Sequence, residues 1–279
     1  MKAALKILKN PCPLEYPQCI ITRMKNEQKK PALIGVIGGV GPFAGLDFMR
    51  NIFNSTRAAK DQEHLDCVLV SCPSIIPDRT EFLFNSEAAE NPCMGMFESA
   101  KKLHAAGVSY AVVACNTAHS GRIFGPFCEM ARDSLPGLTI INMLETCATH
   151  VRKNMGITRI GLLATLGTHR SGVYREYFGG SFELIEPDAA GQKNVHEAIY
   201  SKEFGIKAFS QPVTPLARET IGGEIRKLAS RGAQAIILGC TELPLAVQAG
   251  AVSVPVIDPG LIAARALVAR AAPEKLLAL

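Results

Sequence analysis

No Cys-x-x-Cys pair occurs in this 279-residue sequence, although it contains nine cysteines. An odd count without paired spacing carries no disulfide framework, and several of the thiols lie in apolar segments where a reduced cysteine packs well. A reducing, cytoplasmic setting is expected. No zinc site is expected, for the same reason: Cys115 and His119 stand four apart, but no second pair with ligand spacing accompanies them. No apolar run reaches the roughly 18 residues of a membrane-spanning helix, so no membrane partner is expected. Charge is scarce where nucleic acid would need it. The formal net charge is +5, and residues 1–30 hold all of it, with Lys2, Lys6, Lys9, Arg23, Lys25, Lys29 and Lys30 against Glu15 and Glu27. A body that balances to zero has no broad electrostatic footprint for nucleic acid. Residues 1–30 read as a solvated N-terminal extension. They lack the apolar stretch of a secretory signal, and one arginine is poor for a mitochondrial transit sequence.

What remains is a globular composition, 48% hydrophobic and 20% charged, long enough to bury a sizeable core. Its most informative feature is internal repetition. IGVIGGVGPFAG (34–45) resembles IGLLATLGTHRSG (160–172), aligning Gly35 with Gly161 and Gly41 with Gly167 at an offset of 126. AGVSYAVVACNTAH (106–119) resembles RGAQAIILGCTELP (231–244), aligning Gly107 with Gly232 and Cys115 with Cys240 at an offset of 125. Two motifs repeating at nearly one offset point to a duplicated unit.

Within each half, short apolar runs alternate with longer amphipathic stretches. Residues 33–38, 67–71, 110–114, 159–164 and 235–239 lack polar alternation, as strands buried on both faces of a parallel sheet do. Helices are expected over 42–57, 94–106, 117–134, 142–154, 191–200, 215–231 and 260–270. The expected fold is α/β, with two pseudo-symmetric three-layer domains built on parallel sheets and a site in the cleft between them. The first domain is placed at 31–138, with 259–279 packing back on it, and the second at 139–258. Ligands in such sheets bind outside the carboxyl ends of strands, and both repeated cysteines stand there, each expected to open a helix.

A thiol at a helix N-terminus meets the positive end of the dipole and free N–H groups, which favour thiolate and hence base or nucleophile chemistry. One such cysteine is weak evidence. Two related by a repeat suit a specific reaction: one sulfur removes a proton from one face of a carbon while the other delivers a proton to the opposite face. With each sulfur roughly 3–3.5 Å from that carbon, the pair would stand about 6–7 Å apart. The other seven cysteines read as packing residues.

These motifs also resemble those of the aspartate/glutamate racemase family. The resemblance runs from about residue 32 and rests on IGGVGP (37–42), PDRT (77–80), ACNTAH (114–119), GIK (205–207) and GCTELPL (239–245). It implies two similar α/β domains, substrate between them, no cofactor, a homodimer, and Cys115 and Cys240 as the acid/base pair. Cys240 would serve the L-face and Cys115 the D-face. Glu242 in the GCTE form leans toward the aspartate racemase-like branch.

A dicarboxylic amino-acid substrate requires cations and N–H donors. Arg79, with Asp78 and Thr80 supporting it in PDRT, is expected on the side-chain carboxylate, because a guanidinium binds carboxylate bidentately. Lys207 matches a basic residue that the family closes over substrate, with Lys202 as rival. Asn116, Thr117 and Thr241 are expected on the α-carboxylate, with Gly41 of the glycine turn beside them, although capping alone would also explain Thr117 and Thr241. His119 and Glu242 are expected to tune or relay protons for the adjacent thiols, His119 equally being a helix residue with its own partners.

Three other readings compete. Gly39 to Ala44 matches a dinucleotide fingerprint, but VLVSCPS (68–74) ends the second strand without an acidic residue for the ribose. Hydantoin racemases, maleate isomerases and arylmalonate decarboxylases form a nearer class, the decarboxylases lacking a partner for Cys240. A non-catalytic amino-acid-binding module would not require two symmetric thiols.

Overall fold

The computed structural model describes residues 31–85, 87–247 and 252–278, so the expected extension 1–30 lies outside the described residues. The first half runs β1 (Ile34–Gly38), α1 (Pro42–Asn54), β2 (Cys67–Ser71), α2 (Arg79–Phe84), α3 (Cys93–Ala105), β3 (Tyr110–Val113), α4 (Gly121–Ser134) and β4 (Thr139–Ile141). The second runs α5 (Met143–Asn154), β5 (Arg159–Ala164), α6 (Leu166–Ser171), α7 (Val173–Phe178), β6 (Glu183–Ile185), α8 (Ala189–Tyr200), α9 (Pro215–Ser230), β7 (Ala235–Gly239), α10 (Leu243–Ala246), β8 (Val256–Ile257) and α11 (Pro259–Ala271).

Two four-stranded parallel sheets result, ordered β2-β1-β3-β4 and β6-β5-β7-β8. The identical order extends the sequence repeat to topology. Even the glycine pair at its start is used alike. A side chain on Gly35 would strike Val108 and Leu103, and one on Gly161 would strike Ile236 and press on Leu228 and Ala233, the residues 125 positions beyond Leu103 and Val108. Helices α3 and α9 therefore rest on their central strands at matching places.

β1 and β7 are buried along their whole length, as uninterrupted apolar runs demand. One face of the first sheet packs Ile37, Val113 and Ala111 against Met96, Leu103 and Phe127 of α3 and α4. One face of the second packs Leu163, Ile236 and Leu238 against Val195, Ile221 and Leu228 of α8 and α9. The remaining faces share a single core, in which Ile34, Val36, Val112, Leu162 and Ile237 meet helices α1, α5, α7 and α11. α11 packs on both α1 and α5.

Tyr110–Val112 pair with Thr139–Ile141, so β4, just beyond the boundary expected after residue 138, belongs to the first sheet. One expectation needs correction. The helix expected from Thr117 is a 3-10 turn, Thr117–His119, and α4 begins only at Gly121.

Candidate active site

Loops at the carboxyl ends of the strands converge on a cavity of about 260 Å³ lined by Gly39, Gly41, Asp78, Arg79, Lys207 and Glu242 among others. Each charged member has a definite origin. Asp78 caps α2, its Oδ1 accepting the backbone N–H groups of Thr80 at 2.8 Å and Glu81 at 2.9 Å. This starts α2 at Arg79, whose guanidinium is buried and donates to the carbonyls of Val40 and Pro77, both at 3.1 Å. Arg79 Nε is buried with no protein partner. Burial opposes the charge on Arg79, but Cys115, Asp78, Tyr200 and Glu242 together outweigh it and keep the guanidinium protonated.

Lys207 Nζ lies 3.1 Å from Glu242 Oε1. Glu242 Oε2 in turn accepts the Cys240 thiol at 2.9 Å. Burial works to raise the pKa of Glu242, but Lys207, then the bond from Cys240, holds it below the usual carboxylate range. Burial lowers that of Lys207, yet Glu242 and Tyr200 bring it above the ordinary lysine value. Lys202 is exposed, so Lys207 is the lysine brought to the cavity.

Cys115 and Cys240 are each 6% exposed, at the carboxyl ends of β3 and β7. The helix-dipole expectation for them fails. Only the 3-10 turn follows Cys115, and only the four-residue α10 follows Cys240. Burial first, and the Glu242 carboxylate second, push the Cys240 thiol well above its ordinary value. Cys240 rests as a thiol whose proton points at Glu242.

The halves interlock around these loops. Thr241 Oγ1 donates to the Ala114 carbonyl at 3.1 Å. Gly41, at φ 126°, lies against Glu242, and any side chain there would strike its carboxylate. On the repeat-related side, Thr117 holds the position equivalent to Glu242, and its Oγ1 lies 2.7 Å from that of Thr168 and 3.4 Å from that of Thr165. Each cysteine loop is thus met by the β-to-α turn of the other half. The contact of Gly41 with Glu242 also disfavours a dinucleotide there, because a carboxylate occupies the approach that a diphosphate would use.

Asn116 is 1% exposed; its Oδ1 accepts from Tyr174 at 2.6 Å, and its Nδ2 is buried without a partner. His119 resolves into a structural residue. Nε2 accepts the Met143 N–H at 3.2 Å, which leaves Nδ1–H to donate to the Cys115 carbonyl at 2.8 Å. Burial pushes its pKa down to about 4, against the pull of that carbonyl. A neutral ring with both nitrogens engaged ties the Cys115 loop to the start of α5.

Sequence reasoning missed Tyr200, Tyr174, Thr165 and Thr168. The two threonines lie in the ATLGTH repeat of the glycine turn, and the repeat itself would have found them. The tyrosines carry no local motif. Among the described residues, no group of three or more His, Cys, Asp or Glu side chains is arranged to hold a metal. No described helix is long and apolar enough to cross a membrane.

A family model described as Asp/Glu/Hydantoin racemase matches residues 37–267. Among solved structures, the chain is similar to Picrophilus torridus aspartate racemase, with 31% identity over 88% of this chain and 96% of that one and a TM-score of 0.75. It is similar also to an aspartate racemase homologue from Pyrococcus horikoshii OT3, with 25% identity, 85% and 98% coverage and a TM-score of 0.64. A glutamate racemase from Listeria monocytogenes is 25% identical over 139 residues, 50% of this chain and 47% of that protein. The chain spans about half the length of the curated relatives it matches.

Proposed function

Because the chain belongs to the Asp/Glu/Hydantoin racemase family, we propose that it racemises acidic amino acids, aspartate or glutamate, without a cofactor. The observation that carries the substrate class is the buried Arg79, whose Nε lacks a protein partner on a cavity that also holds Lys207. A buried guanidinium with a free donor suits a carboxylate. Asn116 Nδ2, likewise buried without a partner, supplies a donor for the second carboxylate, with Thr117 and Thr241 beside it.

In this reading one sulfur, as thiolate, takes the α-proton. The C–H electron pair passes into the α-carbon and its carboxylate, and the other sulfur, as thiol, returns a proton from the opposite face. Cys240 faces the L-enantiomer and Cys115 the D-enantiomer. The buried Cys240 thiol needs a base to become a thiolate, and Glu242 at 2.9 Å is that base. Glu242 therefore relays protons for Cys240, whereas Thr117, its repeat counterpart, is held by Thr168. Seven free thiols among the described residues support a reducing, cytoplasmic setting, and Phe43 and Leu46, exposed on α1, offer apolar surface for a homodimer.

The test is incubation of purified, dialysed protein with each enantiomer of aspartate, glutamate and alanine, followed by loss of optical rotation. Racemisation of an acidic amino acid far faster than alanine supports the proposal. Equal rates, or a requirement for added pyridoxal phosphate or metal, would overturn it.

A further inference from the structure

Tyr200 ends α8 in the second half, yet its hydroxyl donates to Asp78 Oδ2 in the first half at 3.0 Å and lies 3.4 Å from Thr80 Oγ1. Its ring lies 4.7 Å from Lys207 Nζ and stacks on His196, one turn earlier in α8, at 4.6 Å and 24°. One side chain therefore touches the residue that starts the Arg79 helix and the lysine paired with Glu242. Asp78 uses one oxygen to cap α2 and the other to receive Tyr200, so its carboxylate ties the direction of Arg79 to the position of α8. Lys207 has a long flexible stem, and an aromatic face is a low-entropy seat for an ammonium.

We propose that Tyr200 is a positioning residue that sets the spacing of the two substrate-binding cations, Arg79 and Lys207, through its hydroxyl to Asp78 and its ring face to Lys207. The inference rests on the racemase reading and adds a residue that no motif marks. Its two functional parts are separable. Tyr200→Phe keeps the ring beneath Lys207 and removes only the bond to Asp78, whereas Tyr200→Leu removes both.

Initial rates are measured on whichever of aspartate and glutamate the wild type racemises faster. Binding of the matching dicarboxylate, succinate or glutarate, is measured by calorimetry, with melting temperatures recorded for all variants. Tyr200→Phe is expected to raise KM and the dicarboxylate Kd about tenfold, the loss of one hydrogen bond to a charged acceptor, with kcat within about threefold. Tyr200→Leu is expected to raise KM further and also lower kcat about tenfold, as Lys207 leaves Glu242. Unchanged KM and Kd in both variants would overturn the inference. Loss of folded protein with unchanged KM in the folded fraction would do the same, since that marks a merely structural tyrosine. A wild type that binds the dicarboxylate without racemising would sink the functional proposal alone, and the Kd values would still decide the role of Tyr200. A wild type that does neither removes both.

Discussion

The Cys240 thiol donates to Glu242 Oε2 at 2.9 Å, while the other oxygen of that carboxylate lies 3.1 Å from Lys207 Nζ. A buried thiol, a buried carboxylate and an ammonium thus form one chain that ends in the cavity. The carboxylate is kept ionised by the lysine, and it holds the sulfur protonated.

Glu242→Gln keeps the shape but removes the base. The expected result is a fall of about 10²–10³ in kcat in both directions, within the range of general-base effects, measured by polarimetry. The raised value of Cys240 also has a stability consequence. A folded-state pKa above the unfolded one stabilises fully below the ordinary thiol value of about 8.5 and is lost as pH rises through the folded value. Resistance to urea should therefore fall above about pH 8.5, and Cys240→Ser should reduce that slope, the remainder coming from the other buried thiols that burial pushes up, Cys67, Cys128 and Cys147.

Either Cys115→Ala or Cys240→Ala is expected to abolish racemisation in both directions, because inversion needs a group on each face. In heavy water the product enantiomer of the wild type should carry α-deuterium from its first appearance, while unreacted substrate stays largely protiated. Each mutant is expected to exchange the α-proton of one enantiomer only, which assigns the faces. Near-wild-type racemisation by either mutant would replace the two-thiol mechanism with a one-base route.

Arg79→Ala is expected to cost about 2–5 kcal/mol of transition-state stabilisation toward the acidic substrate, the range for truncating a buried charged partner. Arg79→Lys should rescue little, since an ammonium cannot hold the Val40 and Pro77 carbonyls and a carboxylate together. The check is kcat/KM on aspartate and glutamate. A silent Arg79→Ala would withdraw the assigned substrate class.

His119 and Asp258 pull acid stability in opposite directions. His119, lowered to about 4, stabilises above its ordinary value of 6.5, and that contribution is lost as pH falls through about 4. Asp258 caps α11 and is raised to about 6 by burial first. Its contribution is complete below the ordinary value of 3.8 and is lost as pH rises through about 6. Each amounts to about 3 kcal/mol at 1.36 kcal/mol per unit. Between pH 6 and 4, Asp258→Asn should therefore lose stability on acidification faster than the wild type, and His119→Gln more slowly. Chemical denaturation at pH 4, 5 and 6 measures both slopes.

Much was determined by the sequence alone. Uninterrupted apolar runs located the five longer strands, because a strand buried on both faces has no room for polar alternation, and only β2 among them is no more than half-buried. The repeat of Cys115 at Cys240 placed both thiols at carboxyl ends of equivalent strands, since duplicated sequence folds to duplicated topology. Strands β4, β6 and β8, of two or three residues, and helices α2, α6, α7 and α10, of four or six, are too short for any period to register. Only the tertiary structure shows that Lys207, and not the exposed Lys202, reaches the cavity, because both lie on one irregular segment and only packing turns Lys207 onto Glu242. It also decided the charge states. Local sequence reasoning assigned the thiols a helix dipole, whereas in the fold burial and Glu242 keep Cys240 protonated. Tyr200 and Asp78 are 122 residues apart, and a contact at that separation exists only after both halves have closed on each other.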